Sequence, residues 1–299
     1  MAYTEIKEKD KKRYFYRVKS IRKGKKVSKK RVYLGRDLNK KELLVKEESA
    51  DKELGLLSHL LSSEEEKELK IIQENYKKQP KGNLENKYEA FCSLFSYGST
   101  NIEGNTLTLQ ETAQLLFENI TPKRSLREIN EVINHKEAFD LILKTNKNIS
   151  EDLILELHSI VAKNTLKEEL RSQIGRYREL QVYIRGTTWL PVKPQEVKKE
   201  MKNLLSWYTK NKTKINPIVL AAYFHIAFET IHPFIDGNGR VGRLLLNFIL
   251  HNNNFPMINI PHKEKHVYYQ ALETAQIKGD IYPFVKFLIK LLKEDKIRF

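Results

Sequence analysis

Hydrophobic side chains recur with helical spacing along most of this 299-residue chain. From Leu38 onward, apolar positions repeat every three or four residues, as they do in helices that bury one face. Several of these segments open with Ser or Thr followed three residues later by Glu, a spacing at which hydroxyl and carboxylate cap each other's backbone N–H groups. These capping pairs are Ser63–Glu66, Thr108–Glu111 and Ser125–Glu128. The pattern predicts eleven helices, over residues 40–61, 64–78, 84–97, 109–118, 126–145, 151–163, 195–209, 217–231, 238–251, 264–277 and 281–294.

The first forty residues follow a different pattern, with a period of two. Tyr14, Tyr16 and Val18 alternate with Arg17 and Lys19, and the "KGK" that follows is typical of a turn before the second alternating run "VSKKRVYLG". We predict a small β-hairpin or three-stranded sheet. A second short hairpin is predicted inside the helical region, at residues 180–194, where "LQVYIRGTTWLPVKP" places β-branched residues around a Gly and ends in two prolines.

The net charge of +16 is concentrated in the first of these β segments. Residues 11–36 contain thirteen Lys or Arg and no Asp or Glu, interleaved with Tyr14, Phe15, Tyr16 and Tyr33. Such a segment can neutralise phosphates and stack on bases, which makes nucleic acid a candidate partner. The alternative is a solvated basic extension that docks acidic partners or ribosomal RNA without specificity.

Composition excludes some classes of protein. A hydrophobic fraction of 40% with 31% charged residues is typical of a soluble globular chain. No apolar run approaches the roughly 18 to 20 residues of a membrane span, and the start "MAYTEIKEKDKK" has no apolar signal-peptide core, so we expect a cytoplasmic protein without a membrane partner. Cys92 is the single cysteine, which excludes an intramolecular disulfide, and in "YEAFCSLF" we expect it to be buried.

The densest chemistry lies in "IHPFIDGNGRVGR", residues 231–243. The apolar helix before it must end at His232, because Pro233 disfavours helix at the preceding residue. The helix after the Gly-Asn-Gly turn directs unpaired N–H groups and the positive end of its dipole toward the loop, which suits phosphate. Arg240 and Arg243, three apart, can both bind phosphate oxygens.

Two further side chains of the loop supply what phosphoryl chemistry needs. Asp236 offers a hard oxygen ligand, the type that Mg²⁺ prefers when phosphates provide the other ligands. His232, with an ordinary pKa of about 6.5, can accept a proton from an attacking hydroxyl at neutral pH. Base, metal ligand, anion turn and cationic clamp therefore come from one loop.

This loop resembles the signature of the Fic (filamentation) domain family, His-Pro-Phe-x-(Asp/Glu)-Gly-Asn-Gly-Arg-x-x-Arg, and it matches every specified position from His232 to Arg243. The resemblance implies that His232 is the base, Asp236 the Mg²⁺ ligand, Phe234 a buried anchor and Arg243 the arginine that holds the γ-phosphate of ATP. The phosphate cradle it implies consists of Gly237, Asn238, Gly239 and Arg240. The usual reaction of the family is transfer of AMP from ATP to Tyr, Thr or Ser of another protein; kinase relatives have Ala and Lys in this loop, whereas this chain has Gly237 and Gly239.

Outside the loop, "STNIEGN" at residues 99–105 resembles the family's inhibitory motif, with Ser99, Glu103 and Gly104 at its key positions. The resemblance implies that Glu103 binds Arg243 and so occupies a cation that ATP needs. The alternative is a helix that ends at Tyr97–Gly98 and is followed by a polar turn with a solvated Glu103.

Two more stretches resemble parts of the family that bind the target and the base. Residues 182–192 resemble the flap, which aligns a target segment by strand addition. "KHVYYQALETAQIKGD" resembles the helix after the motif loop, where Tyr268 and Tyr269 would flank adenine, although Gln276 stands where relatives often have Asn. The flap residues implied in target binding are Val182, Tyr183, Ile184, Arg185 and Gly186.

The resemblance covers roughly residues 85–290 and implies a mainly α fold, a Fic-type helical bundle with a β-hairpin flap, to which the small basic β sheet is added. We predict three parts: a basic extension over residues 1–37, a helical linker over 38–82 and a Fic domain over 83–299. The expected function is an autoinhibited protein adenylyltransferase using ATP and Mg²⁺. Removal of AMP by a Glu103-activated water, nucleic-acid binding through residues 11–36 and a homodimer are alternatives that the sequence leaves open.

Overall fold

The fold is described from a computed structural model that covers residues 2–10, 12–23, 26–53, 57, 60–79, 84–145, 148–184, 187, 189–294 and 299. The chain divides into two compact units, residues 1–66 and 67–299. Each has its own order of elements and its own core. None of the helices in the described part of the chain combines the length and the apolar character needed to cross a membrane.

The first unit is a three-stranded antiparallel sheet with one helix. Strands β1 (Ala2–Lys9), β2 (Lys12–Lys23) and β3 (Lys26–Arg36) lie in the order β1-β2-β3, which confirms the three-stranded alternative. Helix α1 (Lys40–Glu53) starts at Asn39, whose side chain accepts hydrogen bonds from the N–H groups of Lys41 and Glu42 at 3.0 Å. Phe15, Leu34 and Ala50 form a small core between sheet and helix.

The second unit is built from ten helices in the part that the structure describes, with α2 beginning just before the unit boundary. Short 3₁₀ turns cover Glu168–Gln173 and His262–Glu264. The helices are α2 (Ser63–Lys77), α3 (Leu84–Ile102), α4 (Leu109–Phe117), α5 (Leu126–Lys144), α6 (Glu151–Val161), α7 (Pro194–Asn211), α8 (Pro217–Ile231), α9 (Asn238–Asn252), α10 (Lys265–Lys278) and α11 (Tyr282–Glu294).

Helix α8 lies at the centre of this unit. It is apolar on all sides, and eleven of its residues are buried against α7, α9, α10 and α11. Helix α9 packs on α8 and also contacts α3, α5 and α6. The connection between α8 and α9 is therefore the loop 232–237, which is held in place by the two most buried helices of the fold.

Three boundary predictions need correction. The first helix is described over Lys40–Glu53 and does not reach residue 61, since residues 60 and 61 are not helical. The capping box of α2 uses Ser62 with Glu65, one residue before the predicted Ser63–Glu66 pair. Helix α3 continues through Gly98 to Ile102. Glycine at position 98 allows close packing there, because a Cβ would approach Asn259 Oδ1 to 2.2 Å.

The predicted hairpin over residues 180–194 is also wrong in the part that the structure describes. Residues 180–184, 187 and 189–193 form an irregular loop without a strand ladder. Pro191 has no N–H group to donate to a ladder, and the backbone oxygens of Leu180 and Val192 accept hydrogen bonds from a side chain, that of Arg178. The two ends of the loop are thus joined by a guanidinium group.

Candidate active site

The loop after α8 has two residues with left-handed backbone geometry. His232 ends α8 at φ 51°, and Gly237 precedes α9 at φ 82°, a conformation that glycine adopts without strain. The side chain of Asn238, the first residue of α9, accepts a hydrogen bond from the Phe234 N–H and donates one to the Phe234 carbonyl, both at 2.8 Å. Phe234 is buried, as the resemblance implied. The two hydrogen bonds of Asn238 stabilise the loop, a role separate from the phosphate binding that the resemblance implied.

The His232 ring is mostly covered and lies beside a second ionisable group. Its Nδ1 atom lies 3.7 Å from Glu229 Oε2, one helical turn earlier. Burial lowers the pKa of His232 to about 4, so the ring is neutral at pH 7 and has a free lone pair, but in this closed state it is a weaker base than the ordinary imidazole expected from the sequence. Burial also raises the pKa of Glu229 to about 8, although Arg243 acts to lower it.

The two arginines of the motif are almost completely buried at the start of α9. Arg243 donates from Nε to Ser99 Oγ at 3.0 Å and from Nη2 to the Ser99 carbonyl at 2.7 Å. Arg240 Nη2 lies 3.3 Å from Asp236 Oδ1. Among the described residues, Arg240 Nε and Nη1 and Arg243 Nη1 have no hydrogen-bond partner. Buried N–H groups of this kind are costly without an acceptor, and phosphate oxygens would satisfy them.

Glu103 lies directly over the turn. Its Oε1 accepts a hydrogen bond from Arg243 Nη2 at 2.7 Å, and a Cβ added to Gly239 would come within 2.1 Å of the same oxygen. Burial, the largest single effect, acts to lower the pKa of Arg243, but Glu103 together with Tyr268 and Tyr269 outweighs it and the pKa is raised. The predicted contact between Glu103 and Arg243 is therefore present, and it is made from the C-terminal end of α3, where Ser99 is buried and Gly104 has φ 104°.

Asp236 is surrounded by cations. Its Oδ1 accepts from the Gly237 N–H at 2.6 Å and from Arg240, and its Oδ2 lies 3.3 Å from Arg127 Nη2 on α5. Burial acts to raise the pKa of Asp236, but Arg240, the Gly237 N–H and Arg127 outweigh it, and the pKa lies below its usual value.

The donor set around Asp236 decides whether Mg²⁺ fits. No group of three or more His, Cys, Asp or Glu side chains that could hold a metal comes together within the described ranges. Mg²⁺ commonly takes one or two carboxylates and obtains its other oxygens from phosphates and water. Asp236 is a partly exposed, ionised carboxylate beside a phosphate-binding turn, so it fits that requirement once the Arg127 side chain moves away from its Oδ2 atom.

Two functional candidates carry no sequence motif and were missed. Arg178 is buried and donates from Nε to the His232 carbonyl at 2.8 Å and from its Nη atoms to Leu180, Val192 and Ile231 carbonyls. It thereby fixes the loop 180–192 to the backbone of His232. His158 stacks on Phe234 at 3.8 Å, accepts the Gly175 N–H at Nδ1, and so donates from Nε2 to the Asp236 carbonyl.

The paired tyrosines of α10 occupy different environments. Tyr268 is buried, and its hydroxyl lies 2.9 Å from His225 Nε2 in the core. The Tyr269 ring is 40% exposed and lies beside Lys265, so of the two it is the one with an accessible face for a base.

The predicted flap residues are only partly covered by the description. Tyr183 is exposed, Val182 and Ile184 are half-buried, and Arg185 and Gly186 lie outside the described residues. Trp189 donates its backbone N–H to Thr187 Oγ1 at 3.0 Å within the same loop.

Comparison with known proteins gives a consistent result. The model of the Fic/DOC family matches residues 148–250. Protein adenylyltransferase fic-1 of Caenorhabditis elegans is 39% identical over 204 residues, which cover 66% of this chain and 39% of that protein. Protein adenylyltransferase Fic of Nematostella vectensis is 36% identical over 200 residues, which cover 65% of this chain and 45% of that protein. This chain therefore spans less than half the length of these curated relatives.

Solved structures agree with the sequence matches. Residues 134–508 of Fic-1 from C. elegans superimpose with a TM-score of 0.69 at 30% identity, covering 86% of this chain and 76% of that one. A Fic domain-containing signalling protein from Bacteroides thetaiotaomicron gives a TM-score of 0.69 at 28% identity, covering 76% of this chain and 93% of that one. The mainly α fold is thus the Fic fold, and the chain belongs to the Fic/DOC family.

Proposed function

We propose that this protein transfers AMP from ATP to a Tyr, Thr or Ser hydroxyl of a target protein and that Glu103 inhibits the reaction. The observation that carries the proposal is the loop 232–243 itself, in which a neutral His232 and the buried, incompletely paired Arg240 and Arg243 converge at one helix N-terminus. The names of the relatives, protein adenylyltransferase, support the same reaction.

Each group of residues in the loop 232–243 has its own role in the transfer of AMP. The target hydroxyl oxygen forms a bond to the α-phosphorus, the bond to the pyrophosphate group breaks, and the hydroxyl proton passes to His232. Arg240, Arg243 and the N–H groups of Asn238 and Gly239 hold the phosphates, and Gly237, whose own N–H is bonded to Asp236, forms the turn of the cradle. Asp236 would hold Mg²⁺, which neutralises part of the phosphate charge when bound.

The inhibition follows from competition for one cation. Glu103 and the ATP γ-phosphate both require Arg243, and Glu103 Oε1 also fills the space above Gly239. Every 1.4 kcal/mol by which this contact favours the closed state weakens productive ATP binding about tenfold. Loss of the carboxylate should therefore raise activity.

The test compares variants of the full chain incubated with α-labelled ATP, Mg²⁺ and candidate proteins. We expect label on protein to increase for Glu103→Gly and to vanish when His232→Ala is added. Glu118→Gly, which removes an exposed carboxylate from the end of α4, is the matched control and should behave as the unmodified chain. Absence of label with Glu103→Gly for every target would contradict the transfer reaction.

A variant of this function uses the same carboxylate differently. Glu103 could activate water and remove AMP from a modified target, in which case Glu103→Gly abolishes the reaction. Measuring AMP release from a pre-modified protein separates the two, because Glu103→Gly abolishes release only if Glu103 activates the water.

A second candidate function belongs to the first unit, and we propose that residues 11–36 bind nucleic acid. It is supported by the exposed Lys and Arg side chains of β2 and β3.

The cytoplasmic location and the homodimer stay predictions.

A further inference from the structure

The sheet of the first unit has two chemically different faces. Side chains alternate along each strand except at one register shift, where Phe15 pairs with Gly35 but Tyr16 pairs with Tyr33. Phe15, Arg17 and Val32 face α1, since Arg17 reaches Glu47 of that helix. The opposite side, called the open face here, comprises odd-numbered residues of Tyr3–Lys9, even-numbered residues of Lys12–Val18, and Lys29, Arg31, Tyr33 and Arg36 of β3. Within it, Val18 is completely buried.

Four tyrosines lie on the open face. Tyr16 pairs across the strands with Tyr33, and their ring centroids are 5.3 Å apart. Tyr33 is 53% and Tyr3 41% exposed, while Tyr14 and Tyr16 are half-buried. Positions two apart on a strand are separated by about 7 Å. The result is a row of rings held by strand pairing, with large aromatic surface left in water, which is unusual for a surface without a partner.

The same face is strongly positive. Its residues as defined above include six Lys or Arg and one carboxylate, Glu5. Glu5 accepts a hydrogen bond from Arg31 at 3.0 Å, while Lys7 stands 5.5 Å from the Tyr16 ring and Lys29 stands 5.7 Å from the Tyr3 ring. Cations and rings therefore alternate across one surface. By contrast, α1 carries four Lys and five Asp or Glu.

We infer that the open face binds single-stranded nucleic acid, with unpaired bases stacked on the tyrosines and phosphates held by the surrounding lysines and arginines. The inference rests on the second function proposed above and specifies its surface and ligand. Phosphates alone would be bound by any basic patch, but stacking needs bases whose faces are free, as in a single strand and not in a duplex. An acidic polypeptide matches the charge but offers no flat rings to the tyrosines.

The experiment measures fluorescence anisotropy of labelled probes with the full chain at 50 to 400 mM KCl. The probes are 12-nucleotide oligouridylate and oligothymidylate, a 12-base-pair RNA duplex, and polyglutamate. We expect both single strands to bind at least about tenfold more tightly than the duplex. Six cations on the face allow a slope of log K against log salt of up to about −4, at roughly 0.7 per phosphate contact. Comparison of the uridylate and thymidylate arms tells RNA from DNA.

Substitutions separate stacking from charge. Tyr3→Leu with Tyr33→Leu should weaken single-strand binding about tenfold or more and leave duplex binding unchanged, whereas the two Tyr→Phe changes should retain binding. Lys29→Glu with Arg36→Glu should weaken every nucleic-acid probe. The matched control, Lys40→Glu with Lys41→Glu on α1, makes the same charge change off the open face and should have little effect. Circular dichroism checks that each variant is folded.

Three outcomes overturn the inference. If the duplex binds as tightly as the single strands and the leucine variant changes neither, base stacking is absent, although residues 11–36 still bind nucleic acid. If polyglutamate competes as well as oligouridylate at equal charge, the surface recognises acidic polymers. If no nucleic acid binds at 100 mM KCl, the second proposed function fails together with this inference, and the transfer reaction is unaffected.

Discussion

The loop at residues 232–243 and the open face of the sheet both concentrate basic side chains, but they hold them in opposite ways. Arg240 and Arg243 are nearly completely buried, and Arg243 makes three hydrogen bonds to Ser99 and Glu103. On the open face, Lys29 and Arg36 remain exposed. Burying a guanidinium group costs free energy, and that cost is recovered only when fixed acceptors surround it.

This difference determines what each surface can recognise. A buried, fixed guanidinium acts on a ligand of one shape at close range and is little affected by salt, as binding of one triphosphate requires. Exposed cations keep their water and their freedom, so they attract any polyanion and are screened over about 8 to 10 Å. The same residue types therefore predict recognition of one ligand shape in one unit, whereas on the open face the cations supply attraction without selectivity and any preference for single strands must come from the tyrosines.

The largest expected effect concerns Arg178. Replacing it with Met leaves the carbonyl oxygens of Leu180, Val192, Ile231 and His232 without their donor. We expect the free energy of unfolding to fall by about 3 to 5 kcal/mol, because four carbonyl groups lose their donor and each such loss costs about 1 kcal/mol. Urea unfolding followed by tryptophan fluorescence measures this, because Trp189 and Trp207 both lie in the second unit.

Two control variants sharpen the comparison. Arg171→Met removes a mostly exposed arginine of the second unit that pairs only with Glu168 in the described contacts, and Arg36→Met removes one from the open face. Both should change stability by less than about 0.5 kcal/mol, Arg36→Met being followed by circular dichroism. Equal losses for Arg178→Met and Arg171→Met would mean that burial does not distinguish these arginines.

Much of this architecture could be predicted because its signals are local. Pro233 ends α8, and Thr108–Glu111 and Ser125–Glu128 begin α4 and α5 with the predicted capping boxes. All eleven predicted helices are present. The motif also placed His232 at the end of α8 and Gly237 at the start of α9, since turn geometry and phosphate binding use neighbouring residues.

The remainder depends on contacts between distant residues, which leave no local signal. Arg178 lies 54 positions from His232, and His158 lies 78 positions from Asp236, in segments with no motif. Helix α3 continues through Gly98, where the side chain of Asn259 packs closely, although Gly in a sequence usually suggests a helix end. The sequence does not distinguish Tyr268 from Tyr269 as the ring that stacks on a base. Only the packing shows that Tyr268 belongs to the core.

A second prediction concerns the pH dependence of the stability of the second unit. Burial lowers the pKa of His158 and His232 to about 4 and that of His225 to about 3, whereas these groups bind protons near pH 6.5 when unfolded. Below pH 6.5 the unfolded chain binds more protons than the folded one, so stability should fall as pH falls from 6.5 toward 4. The expected slope is on the order of 1 to 3 kcal/mol per pH unit.

Glu229 acts in the opposite direction. Its pKa is raised to about 8 by burial, so its contribution is complete below the unfolded value of about 4.5 and is lost as pH rises toward 8. Stability of the second unit should therefore be greatest near pH 6.5. Urea unfolding at pH 5, 6.5 and 8 measures both limbs, and Glu229→Gln should flatten the upper one. A flat profile between pH 5 and 6.5 would show that the histidines are not buried in their neutral form.

The smallest expected effect compares two partly exposed ion pairs, one from each region. Arg127 lies 3.3 Å from Asp236, and Arg31 lies 3.0 Å from Glu5 on the open face. If Asp236 holds Mg²⁺, Arg127 competes with the ion for Oδ2, and Arg127→Gln should lower the Mg²⁺ concentration needed for half-maximal binding of a fluorescent ATP analogue. Pairs of this exposure contribute about 0.2 to 1 kcal/mol, which corresponds to a change of up to about fivefold.

The measurement is best made in the Glu103→Gly background, where Arg243 is free to bind phosphate. Arg31→Gln breaks a pair of similar geometry on the open face and should leave the Mg²⁺ dependence unchanged, because Glu5 faces no phosphate-binding turn. A higher Mg²⁺ requirement for Arg127→Gln would reverse the interpretation, since Arg127 would then bind the nucleotide itself and belong with Arg240 and Arg243. Either result shows whether Arg127 must move away from Asp236 before the triphosphate can bind.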